Sequence, residues 1–74
     1  MQKEVLKTLA EVLEVKEEEI SLESNLMEME DWDSITILSC IAEFEESFNI
    51  ILDGEELSNC VTPLEIINLL KKNN

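Results

Sequence analysis

Val5, Leu6, Leu9, Val12 and Leu13 fall at i, i+1, i+4, i+7 and i+8, a spacing that lines one side of an α-helix and that an alternating strand cannot use. The period returns at Leu38, Ile41, Phe44 and Phe48, which predict the inward face of a second helix, and at Leu64, Ile67 and Leu70, which predict that of the last one. No segment carries a strand pattern. With 74 residues, 45% of them apolar, the chain has material for one small core and none for a second domain.

Local signals set the boundaries. The first helix is expected from Gln2 to about Val15, after which Lys16, Glu17, Glu18 and Glu19 break the apolar pattern. Ile20, Leu22 and Leu26 then recur at even spacing in a segment rich in Ser, Glu and Asn, read as a long irregular loop pinned by those three side chains. Connections of that length inside a small domain tend to be functional. The second helix is expected to begin at Asp33 or Ser34 with Asp33 as N-cap, and Asn49 ends its periodicity. Ile50, Ile51 and Leu52 form an apolar connector, Asp53 and Gly54 mark a turn, and Asp53 to Leu57 is long enough for one short helical turn. Thr62, Pro63 and Glu65 make a capping box that opens the last helix, and Lys71 and Lys72 suit its negative C-terminal end. The expected fold is all-α: a small four-helix bundle of three main helices and one short helix, with a long loop between helices one and two, in one domain over residues 1–74. Phe44 and Phe48 would be core aromatics, with Trp32 a third candidate.

Composition narrows the function. The chain has no His, no Tyr, one Gly and two Cys, a poor stock for a catalytic centre, so it is not expected to be an enzyme and no catalytic residue is assigned. Eighteen acidic residues against five basic ones give a net charge of −13. Nucleic acid and anionic membranes are therefore poor partners, basic protein surfaces are the natural ones, and self-repulsion favours a monomer. The same acidity also fits a plain solubility role. Cys40 and Cys60 are too few for a disulfide framework or a zinc site and read as reduced thiols in or near the core. Asp31 and Asp33 begin like a calcium loop, but Ile35 and Thr36 fail its later positions, so no metal site is expected. The N-terminus lacks a basic region followed by an apolar stretch, and no apolar run approaches the roughly 20 residues that cross a bilayer, which points to the cytoplasm.

Ser34 stands where the second helix begins, so backbone N–H groups and the positive end of the helix dipole lie near its hydroxyl. That field would partly stabilise a phosphodiester there, against the acidity of Glu28, Glu30, Asp31 and Asp33. Electrostatics alone permits an attached phosphate without demanding one; an ordinary residue of a helix start is the other reading.

Asp33-Ser34-Ile35 resembles the attachment triplet of the acyl carrier protein family, placed as in that family at the start of the second helix of a four-helix bundle. The likeness extends through Val15 to Ile20, through Ser24-Asn25-Leu26, through Ile41 to Phe48, and through Asp53 to Leu57 and Val61 to Leu64, so it covers nearly the whole chain. It implies 4′-phosphopantetheine, donated by coenzyme A and joined to Ser34 by a phosphopantetheinyl transferase with Mg²⁺, carrying an acyl group as a thioester. It further implies that Asp33 orients the serine and that Ile35 is an exposed apolar contact for partner enzymes; helix capping and a stray surface residue are the plainer readings of these two. Glu43, Glu45 and Glu46 would form a docking surface for basic residues of acyl- or aminoacyl-loading ligases and synthases, or else a solvated helix face.

Two departures stand out. Trp32 occupies a position that is often Gly in the family, and Thr36 and Ser39 follow the serine where the fatty-acid type tends to be acidic. Together they suggest a stand-alone carrier in a specialised pathway with its own partners. Leu38, Ile41, Leu64 and Ile67 would serve either as lining for an acyl chain inside the bundle or simply as core. An aminoacyl carrier of the peptidyl or D-alanyl kind, and a non-carrier acidic helical binding module, are the competing readings.

Overall fold

A computed structural model describes all 74 residues, Met1–Asn74. It contains four helices, α1 (Gln2–Leu13), α2 (Ser34–Phe48), α3 (Gly54–Ser58) and α4 (Pro63–Lys72), and no strand. α1 packs on α2 and α4, and α3 bridges α2 and α4, in a body 27 × 23 × 18 Å. No helix is long and apolar enough to cross a membrane.

α1 buries Val5, Leu9 and Leu13, as its stripe predicts, together with Thr8 and Ala10. It stops at Leu13 rather than Val15 because Glu14 turns into the left-handed region at φ 59°. The Val15 N–H then reaches back to the Ala10 carbonyl at 3.0 Å, closing the helix end. Val15 follows that turn and packs half-buried against the core.

The long connection is less irregular than its sequence suggests, since single 3₁₀ turns form at Glu17–Glu19 and Leu26–Glu28. Ile20 and Leu26 are buried and Leu22 is half-buried. Two backbone bonds strap the loop to the segment that enters α4: Leu26 N–H to the Val61 carbonyl at 2.7 Å and Leu64 N–H to the Leu22 carbonyl at 3.1 Å. A 20-residue excursion is thus held by side chains and by main chain.

α2 ends at Asn49, whose φ of 57° places it in the left-handed region that Asn tolerates well. Its buried arc is Thr36, Cys40 and Phe44, flanked by half-buried Ile37, Ile41 and Phe48. Leu38 is 65% exposed and does not belong to the inward face that its spacing predicts. Two positions after Thr36 on a helix is a rotation of about 200°, so once the small Thr36 and Cys40 face the core, Leu38 must face away. α4 shows the same effect: Pro63, Ile66, Ile67 and Leu70 are buried, whereas Leu64 is 44% exposed. Thr62 caps α4 by accepting from Glu65 N–H at 3.3 Å, and the Glu65 carboxylate accepts from Val61 N–H at 3.2 Å, one residue before the cap. Asp53 caps α3, accepting from Glu55 N–H at 2.8 Å. The core is aliphatic around Phe44, whose ring lies 6.1 Å from that of Phe48.

Candidate functional site

The backbone before α2 is set by a series of short bonds. Trp32 N–H donates to the Met29 carbonyl at 3.2 Å and Asp33 N–H to the Asp31 carbonyl at 3.0 Å. Asp33 itself is extended, at φ −125° and ψ −175°, and its carboxylate accepts from Thr36 N–H at 3.0 Å while its carbonyl accepts the first helical bond from Ile37 N–H at 2.9 Å. Thr36 is buried, which turns the opposite side of this first turn, with Ser34 and Ile35, to solvent. The Thr36 N–H, and to a lesser degree the Ile35 N–H, hold the Asp33 carboxyl below its ordinary value of 3.8, against a smaller opposing effect of desolvation.

Ser34 therefore sits at the first position of a 15-residue helix with an exposed hydroxyl. Beside it an open groove between α2 and α3 is lined by Ser34, Ile37, Leu38, Gly54, Glu55 and Ser58. Ile35, at 76% exposure, and Leu38 make an apolar pair on the same surface. Farther along α2, Glu43, Glu45 and Glu46 are all exposed. Ser34, Asp33 and Ile35 are thus brought together at one end of α2, and the three glutamates form a separate stretch about two to three turns away.

The five cations of the chain are Lys3, Lys7, Lys16, Lys71 and Lys72, so α2 and α3 carry none. The one contact of a lysine with an acidic side chain within ion-pair range is Lys72 to Glu56, at 3.8 Å between exposed groups. The field around Ser34 is consequently negative. Trp32 is half-buried against the core, and its indole N–H is enclosed without a hydrogen-bond partner. Leu38, Glu55 and Ser58 were not legible as neighbours of the serine: α3 reaches this groove only through the Ile50–Leu52 connector, and no periodicity carries that information. Nor do Leu38, Ile41, Leu64 and Ile67 form one inward lining, since Leu38 and Leu64 face solvent.

Residues 3–70 match the family model described as a phosphopantetheine attachment site. The chain is 36% identical over 72 residues to an acyl carrier protein of Buchnera aphidicola, covering 97% of this chain and 92% of that protein. It is 28% identical over 68 residues to an acyl carrier protein of Petrotoga mobilis, covering 92% and 80% of the two chains. A search of solved structures returns no significant match. The chain belongs to the acyl carrier protein family, whose members carry covalently attached phosphopantetheine. The residues at the start of α2 fit such a group: Ser34 is exposed, and its N–H is not taken up by a main-chain carbonyl. The groove alongside leaves the approach to the hydroxyl open.

Proposed function

We propose that this acyl carrier holds its prosthetic group on Ser34 Oγ through a phosphodiester and itself contributes no catalytic group. The exposed Ser34 hydroxyl at the first turn of α2, with Asp33 capping the helix beside it, is the observation that carries the reading. Once bound, phosphopantetheine supplies a terminal thiol on a flexible arm, where an acyl group is held as a thioester. The chain's own residues present and steady that arm. Asp33 fixes the backbone so that the serine points outward, and the Ser34 N–H, at the positive end of the α2 dipole, offsets the phosphate charge in an otherwise acidic setting.

The chain's own thiols do not compete for acyl groups. Burial pushes Cys40 up to about 12 and Cys60 up to about 11, so both are protonated and enclosed at neutral pH. Two free thiols suit a reducing compartment such as the cytoplasm.

Partner enzymes, starting with a phosphopantetheinyl transferase, engage Ile35 as an apolar contact, and Glu43, Glu45 and Glu46 steer their basic surfaces into place. Because Thr36 is buried and Ser39 is uncharged, the first two turns of α2 offer no acidic side chain of their own. This distribution supports a dedicated partner set in a specialised pathway. Incubation with a broad-specificity transferase, coenzyme A and Mg²⁺ tests the assignment by intact mass. Parent protein is expected to gain one phosphopantetheine and Ser34→Ala none; an unmodified parent beside a modified control carrier would refute it.

A further inference from the structure

The segment that delivers Ser34 to the start of α2 has a single hold on the body of the protein. From Glu30 to Ile35 every side chain is exposed except that of Trp32, which packs half-buried against the core. The main-chain bonds of Met29 to Asp33 stay within the segment or join the first turn of α2, and none reaches α1, α3 or α4. Earlier in the same connection, by contrast, Leu22 and Leu26 are strapped to the entry of α4. Charge works to lift the segment away. Asp31 and Glu14 line one open cleft beside the end of α1, Asp31, Glu30 and Glu19 line another, and no lysine lines either. The Trp32 ring is held by apolar contact alone, because its indole N–H is enclosed without a partner and an unpaired enclosed donor is a cost rather than a tether.

Resting on the carrier reading above, we propose that Trp32 is a positioning residue for the modification of Ser34: its buried ring stakes the acidic segment to the core and so fixes where Asp33 and the Ser34 hydroxyl stand when the transferase brings coenzyme A to them. In that step Ser34 Oγ bonds to the phosphorus that carries pantetheine, its proton passes to the transferase, and the phosphoanhydride bond breaks to release adenosine 3′,5′-bisphosphate. A nucleophile displaced by about 1 Å can lose on the order of a hundredfold in rate, and Trp32 is the side chain that prevents such a displacement here.

The experiment measures kcat and KM for transfer from coenzyme A by a broad-specificity transferase with Mg²⁺, following product by intact mass, at a temperature where circular dichroism shows every variant folded. The variants are Trp32→Ala, Trp32→Phe and Leu69→Ala, the last a half-buried core contact on α4 that controls for general loss of stability. Trp32→Ala is expected to lose about tenfold or more in kcat with KM little changed, since Ile35 and the glutamates of α2 still meet the enzyme. Trp32→Phe, which keeps a ring to bury, should stay within about threefold of the parent. Leu69→Ala should match the parent. A folded Trp32→Ala modified at the parental rate would overturn the proposal, as would a loss confined to KM, an equal loss in Leu69→Ala, or a Trp32→Phe as slow as Trp32→Ala. The parent supplies a check that needs no variant, because Trp32 is its only tryptophan and it has no tyrosine. Its emission is expected to be shifted to the blue and shielded from acrylamide; emission and quenching like those of a free indole would refute the anchor. Failure of the parent to gain mass would be seen first and would remove the carrier reading itself.

Discussion

Asp33 was legible from sequence as an N-cap, because an acidic residue one place before a helical stripe has a backbone N–H to accept, and Thr36 supplies it. Its neighbour Ser34 was legible from local pattern as a residue at a helix start, and as an attachment site only through the Asp33-Ser34-Ile35 resemblance; its exposure depends on which way α2 rolls, and that is decided by Thr36 and Cys40, two side chains a hydrophobic pattern passes over. Asp33→Ala is expected to lower the melting temperature and slow modification of Ser34, whereas Asp33→Asn, which keeps an accepting oxygen, should retain most of both. The carboxyl is held below its ordinary 3.8 in the fold, so its charged form stabilises the native state above that value, and the contribution is lost as pH falls through the lower folded value. The difference in melting temperature between parent and Asp33→Asn should therefore be present at neutral pH and close as the pH drops below 3.8. At the thiols, iodoacetamide is expected to label neither Cys40 nor Cys60 appreciably in the native protein at mildly alkaline pH, and both on unfolding, with Cys40 the slower of the two; rapid native labelling would contradict their burial.

The helices themselves followed closely from spacing and caps, with α4 starting next to the predicted cap Thr62 and α3 just after Asp53, read from sequence as part of a turn and found to be the cap. The rotation of α2 and α4 did not, because Leu38 and Leu64 have the right spacing but sit beside, not within, the arc that contacts other elements. The end of α1 also escaped, since Glu14 adopts a left-handed conformation at φ 59° with a residue that has no preference for it. Replacement by glycine should relieve that strain. Glu14→Gly is expected to stabilise the protein by about 0.5–1 kcal/mol, a rise of a few degrees in melting temperature for a domain of this size. Glu14→Gln, which removes the charge but keeps the side chain, should give less; equal gains would assign the effect to charge instead.

Across the whole molecule the charge of −13 is spread over a body only 27 × 23 × 18 Å, with every cation confined to Lys3–Lys16 and Lys71–Lys72. Raising salt from about 0.01 M to about 0.1 M shortens the Debye length from about 30 Å to about 10 Å, from the size of the molecule to a fraction of it. The melting temperature should rise over that interval as self-repulsion is screened. Docking of a basic partner on α2 should weaken over the same interval, mainly through a slower association rate. The central claim, that one particular hydroxyl carries the prosthetic group, is tested most directly by locating the modification. The chain has six serines, Ser21, Ser24, Ser34, Ser39, Ser47 and Ser58, and peptide mapping of the transferase-treated protein by tandem mass spectrometry distinguishes them. The account predicts phosphopantetheine on the peptide holding Asp33-Ser34-Ile35, with fragment ions that place it on Ser34; a modified serine elsewhere, or an unmodified Ser34 in protein that has gained the mass, would contradict it.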